Sequence, residues 1–378
     1  MRYHSELSIN LNSLKFNFEQ LKLLAPNNQV IFMVKGDAYG HGLEDISKFA
    51  FSEMNIVEFG VACLGEAVKL RNILGPKVTI YVFSDLELEG SCHKYFEDNL
   101  IPVLSTMKDL KLFTQHKEYS DSKFCLKFNT GMNRLGFKEN EVDLIMNFLR
   151  SKNIQRIEHI MSHLSHSFFQ IREGDKSHKQ YIIFKRIKES LSSQFSVKSS
   201  SISNSGAIEQ GFGLEESHIR PGIMLYGPAS FGSIKPPVGR IQNNRWRGRI
   251  ISELRSKILS KEKILKGTPI GYGGSICGSN GYLITLPIGY ADGFLTYYGG
   301  VKFSYKGIDF KVIGRLNMDL CFVHSDTIKT EDVEELEWIS FWDDSQKSIT
   351  DFCTQTKTIP YQVFTALSSR IPRKYYYK

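Results

Sequence analysis

The chain has 378 residues, of which 41% are hydrophobic and 23% are charged, and its formal net charge is +8. This composition is that of an ordinary globular protein, and the length suits one large domain plus a smaller one. No run approaches the roughly 20 apolar residues of a membrane span, and Met1–Asn12 has no signal-peptide core, so we expect a cytoplasmic protein without a membrane partner. The six cysteines are scattered without paired spacing, which predicts neither a disulfide framework nor a metal site.

The positive charge would suit a nucleic acid, but the basic residues cluster only weakly. Arg240–Arg249 and Arg370–Lys378 are basic with aromatic residues between them, and neither matches a nucleic-acid-binding module. A solvated basic face explains both segments better. We therefore expect no nucleic-acid partner.

The first two thirds of the chain alternate short β-branched runs with amphipathic stretches, a pattern typical of parallel strands joined by crossover helices. Eight strands are predicted, at Val30–Lys35, Ile56–Cys63, Val78–Phe83, Ile101–Leu104, Phe124–Phe128, Ile157–His163, Ser200–Ser203 and His218–Arg220. Helical spacing is clearest in Glu139–Arg150 and Tyr181–Leu191. Eight such units predict a (β/α)8 barrel of the TIM type, with an open doubly wound sheet as the alternative.

Beyond this region, Gly227–Gly248 is rich in Gly, Pro, Ser and Asn and predicts a linker. Six more strands are predicted, at Arg249–Ile258, Tyr282–Pro287, Val301–Tyr305, Phe310–Ile313, Leu320–Val323 and Trp338–Phe341, and one or two helices in Asp351–Ser368. The predicted fold class is α/β, a barrel followed by a mostly β C-terminal domain. The predicted boundaries are 1–11 for an N-terminal strand that packs with the β domain, 12–232 for the barrel and 233–378 for the β domain.

The segment 32–42, FMVKGDAYGHG, ends an apolar run at Lys35 and continues into a glycine-flanked turn. A free lysine has a pKa of roughly 10.4 and is a poor nucleophile at neutral pH. A desolvated lysine, in contrast, forms a Schiff base, which is the usual anchor of pyridoxal phosphate. On spacing alone, a lysine that simply ends a strand is the commoner case.

Other side chains of interest are predicted at the same end of the barrel. Catalytic residues gather at the carboxyl ends of barrel strands, and phosphate sites often form after the seventh and eighth strands. His163 ends the sixth predicted strand, Asn204 and Ser205 follow the seventh, and Arg220 closes the eighth. Each alone is more often structural, but their convergence with Lys35 favours a functional site.

Eight segments carry a more specific pattern. They are 32–42, 129–136 (NTGMNRLG), 162–165 (SHLS), 204–205 (NS), 220–223 (RPGI), 271–273 (GYG), 287–293 (PIGYADG) and 314–319 (GRLNMD). In this order they resemble the alanine racemase family from near the start of the chain to its end. The resemblance implies a pyridoxal phosphate-dependent racemase that interconverts L- and D-alanine and supplies D-alanine for peptidoglycan. It also implies a homodimer in which one subunit's barrel and the other's β domain form each active site.

The resemblance implies two acid-base groups, Lys35 and Tyr272, on opposite faces of the substrate. A free tyrosine has a pKa of about 10, so neighbouring cations must lower it for Tyr272 to act near neutrality. Without the resemblance, Tyr272 is one of 17 tyrosines, in a glycine-rich turn. Arg220 matches the arginine opposite the pyridine nitrogen, where a guanidinium leaves that nitrogen unprotonated and disfavours transamination. His163 matches the residue that links the tyrosine to this arginine.

The other cofactor-binding residues that the resemblance implies are Tyr39, Asn204, Ser205, Gly222 and Ile223. Gly222 and Ile223 would act through their backbone N–H groups, because glycine lets the main chain approach an anion closely.

On the substrate side, Arg134 has the planar fork that suits a carboxylate or phenolate. Tyr290 and Met318 match positions in the substrate channel, Met318 through its backbone N–H. Lys127 matches a lysine that family members often carbamylate, which turns it into an anion that orients Arg134. A strand lysine that faces solvent is the alternative for Lys127.

The chain departs from the family pattern at several positions. Gly36 stands where alanine is usual, Asn129 where aspartate is usual, Asn317 is a further substitution, and Ser369 stands where some members place a tyrosine on the cofactor phosphate. These departures leave the strictness of the alanine preference open. The alternatives are a racemase of another small amino acid such as serine, a non-catalytic pyridoxal phosphate-binding barrel and a related two-domain decarboxylase. The segment 271–273 and Arg220 speak against the last two.

Overall fold

The computed structural model describes residues 4–230 and 246–377. The strands are β1 (Ser5–Asn10), β2 (Gln29–Met33), β3 (Glu58–Cys63), β4 (Thr79–Asp85), β5 (Ile101–Leu104), β6 (Cys125–Lys127), β7 (Arg156–Ile157), β8 (His159–Met161), β9 (Ser196–Val197), β10 (Ser200–Asn204), β11 (His218–Arg220), β12 (Ser252–Lys257), β13 (Ser260–Ile264), β14 (Pro269–Ile270), β15 (Ser275–Ile276), β16 (Gly281–Leu286), β17 (Lys302–Tyr305), β18 (Ile308–Ile313), β19 (Cys321–Ser325), β20 (Trp338–Trp342) and β21 (Arg373–Tyr376).

The α-helices are α1 (Leu11–Leu24), α2 (Lys35–Tyr39), α3 (Leu43–Met54), α4 (Leu64–Leu74), α5 (Leu88–Ser91), α6 (His93–Glu97), α7 (Met107–Phe113), α8 (Val142–Ser151), α9 (Lys176–Ser192), α10 (Ser205–Glu209), α11 (Thr330–Glu335), α12 (Gln346–Thr356) and α13 (Pro360–Ala366). Short 3-10 helices lie at Gly75–Lys77, Tyr119–Asp121, Glu139–Glu141, Ile223–Tyr226, Tyr290–Asp292 and Thr296–Tyr298. Within the two described ranges, no helix combines the length and the apolar character that crossing a bilayer requires.

Eight parallel strands close into a barrel in the order β2, β3, β4, β5, β6, β8, β10 and β11, and β11 pairs back to β2. Strands covered on both faces need continuous apolar runs rather than alternation. β5 illustrates this, since all four of its residues are buried. The predicted barrel is confirmed, and the open doubly wound sheet is excluded.

Two predicted barrel strands end two residues earlier than expected. The predicted strand Ile157–His163 is divided, because β7 pairs with β9 outside the barrel while β8 pairs with β6 and β10 and stops at Met161. The first barrel strand likewise stops at Met33, before Lys35. An uninterrupted apolar run does not reveal where the backbone changes its hydrogen-bonding partner.

The second domain contains two main sheets. One has the order β20, β12, β1, β21 and the other the order β13, β16, β19, β18, β17. The N-terminal strand β1 belongs to the first sheet, where it lies antiparallel to β12 and parallel to β21. Four short strands were not predicted. β14 and β15 are only two residues long, and β13 and β21 consist mostly of polar or charged residues, so no apolar period marks them. The mostly β character of this domain is confirmed, and Asp351–Ser368 falls on α12 and α13.

The domain limits stay predictions. The boundary between 232 and 233 lies outside the described residues, and so does most of the predicted linker Gly227–Gly248. All six cysteines are free thiols.

Candidate active site

Lys35 begins an unusual turn directly after β2. Gly36, Asp37, Ala38 and Tyr39 all have φ between 53° and 65°, which makes the turn left-handed. A hydrogen bond from Gly40 N to Gly36 O closes it at 2.9 Å. The left-handed conformation costs roughly 1–2 kcal/mol for each residue other than glycine. The surrounding structure must therefore hold this turn in place.

Contacts from both domains hold the turn. From the barrel, the Glu66 carboxylate in the first turn of α4 accepts a hydrogen bond from Gly36 N at 2.7 Å. From the second domain, Arg373 on β21 donates from Nε to Gly40 O at 3.0 Å. A Cβ added at Gly40 would lie 2.1 Å from the carbonyl oxygen of Phe364, so only glycine permits this contact. The position of Lys35 thus depends on packing between the two domains.

His41 lies at the centre of this domain contact and is fully buried. Its Nδ1 is 2.9 Å from Tyr39 O, its Nε2 is 2.9 Å from Ser252 Oγ on β12, and its ring stacks on Tyr226 with centroids 5.0 Å apart. Burial lowers the pKa of His41 to about 3. The ring is therefore neutral at pH 7, with its hydrogen on Nδ1 facing the carbonyl oxygen.

Four cationic side chains gather at the carboxyl end of the barrel. Burial lowers the pKa of Lys35, and the charges of Arg134 and Arg220 lower it further, while Glu66 opposes them. Lys127 on β6 is buried, and burial together with the same two arginines lowers its pKa to about 8. Each amine therefore has a larger neutral fraction at neutral pH than an exposed lysine has.

Arg220 ends β11 and is buried. Its guanidinium donates to Ser201 Oγ, to Ser162 O and, at 3.4 Å, to Ile202 O. Burial lowers the pKa of Arg220 to about 10, so the group is a cation at neutral pH. Its hydrogen-bond acceptors in the described part of the chain are all neutral, and no described carboxylate forms an ion pair with it. The site therefore presents an uncompensated positive charge.

His163 lies two residues beyond the end of β8. Burial and the charges of Arg220 and Arg134 hold its pKa well below the ordinary value, so the ring is neutral. Its Nε2 is 3.4 Å from the side-chain nitrogen of Asn204, whose oxygen in turn accepts from Ser167 Oγ at 2.6 Å. Asn204 also caps α10 by accepting from a backbone N–H in its first turn. The two predicted residues are thus in contact.

Ser205, Gly222 and Tyr39 converge on one point of the barrel rim. Ser205 Oγ accepts from the backbone N–H groups of Gly222 at 3.1 Å and of Met224 at 3.4 Å. A Cβ added at Gly222 would lie 2.3 Å from Tyr39 Oη, so glycine is needed for the phenol to approach. Burial raises the pKa of Tyr39 far above its usual value, which keeps the hydroxyl protonated and able to donate. Ile223 follows as the first residue of the 3-10 helix Ile223–Tyr226.

These features fit pyridoxal phosphate. Hydroxyl and backbone N–H donors at Ser205, Gly222 and Tyr39 suit a phosphate. The Arg220 cation, held only by neutral acceptors, suits the lone pair of a ring nitrogen. The partly buried Lys35 amine, with its lowered pKa, suits an aldehyde.

The remaining predicted residues lie in the second domain. Tyr272 is 70% exposed at the tip of the turn between β14 and β15, where Gly271 and Gly273 have φ of 57° and 79°. Tyr272 lines a hollow together with Tyr290 and Met318, which are also exposed. Every residue that lines this hollow lies between 272 and 320. The structure thus divides the predicted site residues between two clusters, one in each domain.

Backbone contacts fix the floor of this hollow. Tyr290 N donates to Asn317 O at 3.1 Å, and Ala291 N donates to Met318 O at 3.0 Å. The segments 287–293 and 314–319, which are distant in sequence, therefore form one surface.

Three residues that position Lys35 were not predicted from the sequence, namely Glu66, His41 and Arg373. Glu66 follows a barrel strand by three residues, so an acid at the strand end was the available signal. His41 lies within the segment 32–42, and Arg373 lies in the terminal segment 370–373 (RIPR), but neither residue type has a local pattern that predicts a contact between domains.

Comparison with known proteins identifies the family. The model of the alanine racemase N-terminal domain matches residues 9–230, and that of the C-terminal domain matches residues 251–375. The alanine racemase of Thermodesulfovibrio yellowstonii is 32% identical over 98% of this chain and 97% of its own length. That of Helicobacter acinonychis is 30% identical over 99% of this chain and all of its own.

A solved structure agrees with these matches. The alanine racemase from Acinetobacter baumannii superposes with a TM-score of 0.83 at 26% identity and covers all of both chains. The match over residues 251–375 excludes a protein built from the barrel alone. As its motifs predicted, the chain belongs to the alanine racemase family and is an amino-acid racemase.

Proposed function

We propose that the protein is a pyridoxal phosphate-dependent alanine racemase that uses two acid-base groups. The observation that carries the proposal is the partly buried Lys35 amine, whose pKa is lowered by desolvation and by the charges of Arg134 and Arg220. A neutral amine at the carboxyl end of a barrel is able to bond to an aldehyde and, once released, to accept a proton. Neighbouring cations that lower the pKa of a lysine are not expected if that lysine only ends a strand.

The cofactor would be held by Lys35, by Arg220 at the ring nitrogen, and by Tyr39, Ser205 and the backbone of Gly222 and Ile223 at the phosphate, with His163 and Asn204 beside the ring. When bound, pyridoxal phosphate spreads the negative charge that develops at the substrate α-carbon. Arg220 stays protonated at neutral pH because its pKa is about 10, so it donates a hydrogen bond without delivering its proton.

Racemisation needs a proton acceptor on one face of the substrate and a proton donor on the other. We assign Tyr272 Oη to the face from which L-alanine loses its α-proton. Lys35 Nζ then delivers a proton to the opposite face, which produces D-alanine, and the two groups exchange roles in the reverse direction. The exposed position of Tyr272 at the tip of a turn supports its reaching a substrate outside its own domain.

We propose that the active site is shared in a homodimer. Tyr272, Tyr290 and Met318 are exposed around a hollow of the second domain, which suits a surface that completes the barrel site of a second copy. Mixing Lys35→Ala with Tyr272→Phe tests this. Because half of the dimers in a random mixture are hybrids with one intact site of two, activity should recover to about a quarter of the wild-type value. Each variant refolded alone is the control, and a mixture no more active than its components would contradict the shared site.

We further propose that Lys127 is carbamylated. Its pKa of about 8 leaves a substantial neutral fraction at neutral pH, and a neutral amine adds to carbon dioxide. The resulting carbamate, formed with release of a proton, would place one anion among the three remaining cations and would orient Arg134 toward the substrate carboxylate.

The substrate is proposed to be alanine, and a chiral assay of several L-amino acids with added cofactor tests this. We expect alanine to be racemised fastest. One observation favours serine as a second candidate: Asn317 lines the hollow, and its Oδ1 has no hydrogen-bond partner among the described residues. Serine turnover that exceeded alanine turnover, and that fell on Asn317→Ala, would favour that candidate.

We place the reaction in the cytoplasm, where it would supply D-alanine for peptidoglycan. A gene deletion should then make growth depend on added D-alanine. Normal growth of the deletion strain, with no second racemase activity in its extract, would contradict this role.

A further inference from the structure

A chain of hydrogen bonds continues from Arg220 into the barrel interior. It passes through Ser201, His159 and Ser199 and ends at the backbone carbonyl oxygen of Glu158. The distances are 2.6 Å from Ser201 Oγ to His159 Nε2, 2.6 Å from His159 Nδ1 to Ser199 Oγ, and 2.7 Å from Ser199 Oγ to Glu158 O. The three linking side chains, at positions 159, 199 and 201, are all buried.

The direction of every bond in this chain follows from its far end. A carbonyl oxygen only accepts, so Ser199 must donate its single hydroxyl hydrogen to Glu158 O. Ser199 Oγ therefore accepts from His159, which places the imidazole hydrogen on Nδ1. Burial, together with the nearby His218 and Arg220, holds the pKa of His159 well below its ordinary value, so its Nε2 carries no hydrogen.

The near end of the chain is then fixed as well. The bare Nε2 of His159 accepts the hydroxyl hydrogen of Ser201. Ser201 Oγ has its lone pairs left to accept from Arg220, whose guanidinium only donates. One arrangement of hydrogens therefore satisfies all the groups, and it leaves Arg220 bound to a neutral acceptor.

A second layer holds the imidazole. Tyr81 and His218 contact the His159 ring edge-on, with centroids 5.6 and 5.3 Å away. Glu58 lies 3.4 Å from both Tyr81 Oη and His218 Nε2. The carboxylate of Glu58 contacts these rings rather than Arg220, so the cation is oriented without being neutralised.

We propose that His159, acting through Ser201, is the positioning residue of Arg220 and keeps its guanidinium aimed at the cofactor ring as an uncompensated cation. This inference rests on the proposed function for its effect on the reaction. A neutral relay satisfies the buried N–H of Arg220, whereas a carboxylate at the same place would also cancel its charge. Loss of the relay should let Arg220 turn away from the ring nitrogen, which favours transfer of the substrate amino group to the cofactor and release of pyruvate.

The main test compares Ser201→Ala with Ser203→Ala in the cofactor-loaded enzyme. Ser203 lies on the same strand and is equally buried, but its hydroxyl donates to Phe212 O at 2.6 Å. Because a hydrogen bond to a charged group is lost, we expect Ser201→Ala to lower kcat about tenfold and to raise the pyruvate released per racemisation about tenfold, with little change in KM. Ser201→Thr, which keeps the hydroxyl, should restore the wild-type ratio. Equal pyruvate ratios in Ser201→Ala and Ser203→Ala would overturn the proposal.

A second variant tests the relay as a unit. His159→Phe should reproduce the effect of Ser201→Ala, and the double variant should be no worse than either single one, because both changes break the same chain. Additive effects would overturn the relay. If Ser201→Ala does not fold, His159→Phe compared with Ser203→Ala serves as the test, and equal pyruvate ratios in those two variants would overturn the proposal.

A measurement on the cofactor-free protein separates this inference from the proposed function. Nitrogen NMR of histidine-labelled protein should show that the imidazole of His159, assigned through the loss of its signals in His159→Phe, keeps its hydrogen on Nδ1 at all pH values from about 5 to 9. A hydrogen on Nε2 of His159 would overturn the relay even if the enzyme racemises alanine. Wild-type protein that failed to bind pyridoxal phosphate would overturn the proposed function and leave the imidazole assignment intact.

Discussion

The two clusters of site residues differ in how completely the single chain holds them. At the barrel end, the side chains of Lys127 and Arg220 are buried, and the turn that carries Lys35 is held by Glu66 and Arg373. In the second domain, Tyr272 is 70% exposed on a turn that includes several glycines, and Tyr290 and Met318 beside the same hollow are also exposed. The barrel end is therefore preorganised by burial, whereas the other cluster offers its groups outward.

The cluster at the barrel end acquires its shifted pKa values within a single chain. Burial and mutual repulsion among cations lower the pKa values of Lys35 and Lys127 within one chain. Tyr272, in contrast, extends from an exposed turn of the second domain. We therefore expect substitutions in the barrel to affect each subunit by itself. Substitutions around the hollow should affect the active site only when two subunits have assembled.

The largest effect should come from Lys35→Ala. We expect about a 10⁴-fold loss of racemisation and the loss of borohydride-trapped cofactor, because the variant removes both the anchor and one proton acceptor. Peptide mapping after borohydride treatment of the wild-type protein checks the anchor. Lys48→Ala, which removes an exposed lysine paired with Glu44, is the control and should change neither property. Cofactor trapped on another lysine would contradict the assignment.

Tyr272→Phe should have the next largest effect. We expect racemisation to fall about 10²- to 10³-fold, while trapping of the cofactor by borohydride stays unchanged. Exchange of the α-proton with solvent should fall more from L-alanine than from D-alanine, and this is measurable in deuterium oxide. Tyr377→Phe is the matched control, since Tyr377 is 66% exposed and lies away from the hollow. Small and equal losses in both directions would remove Tyr272 from the proposed role.

The domain contact at His41 should make stability depend on pH. The pKa of about 3 in the folded protein lies below the ordinary value of 6.5, so the unfolded chain takes up the proton first. The stabilisation is complete above pH 6.5 and is lost as the pH falls toward 3. At pH 5 the loss amounts to about 2 kcal/mol of the free energy of unfolding. Urea unfolding at pH 7 and pH 5 measures this free energy.

His41→Gln should be less stable at pH 7, but its free energy of unfolding should fall less steeply between pH 7 and pH 5. The exposed His93 provides the control, and His93→Gln should keep the wild-type pH dependence. An unchanged pH dependence in His41→Gln would show that the barrel turn and the second domain do not depend on a neutral imidazole.

The smallest effect should come from Lys127→Met. We expect KM for alanine to rise about tenfold with a modest fall in kcat, since a hydrogen bond from Arg134 to the proposed carbamate would contribute about 1.5 kcal/mol. The wild-type protein should gain the mass of one carbon dioxide in bicarbonate, mapped to Lys127. An unmodified Lys127 and an unchanged KM would favour the alternative of a purely structural lysine.

Much of the fold was predictable from local pattern. The eight barrel strands were found because buried parallel strands form continuous apolar runs, as in Ile101–Leu104. The short strands β13 and β21 were missed, because charged residues such as those of Ser260–Ile264 carry no apolar period. The left-handed form of the turn after Met33 was also missed, since Asp37 and Ala38 do not favour it by themselves.

The predicted site residues were named from motifs, but their supporting contacts were not. Apart from the position of Glu66 just after a barrel strand, nothing in the sequence near Glu66 or Arg373 indicates that both bind the turn that carries Lys35. The relay through His159 and Ser201 was equally hidden, because the two residues are 42 positions apart and meet only when β8 pairs with β10.

The sequence by itself determined the barrel, the mostly β second domain, the family and the residues with the right chemistry, because periodicity and motif spacing are local properties. Only the tertiary structure decided which cations lie together, which pKa values fall and which groups hold Lys35 and Arg220 in place. Those properties arise from burial and from contacts between residues far apart in the chain, and neither is encoded at any single position.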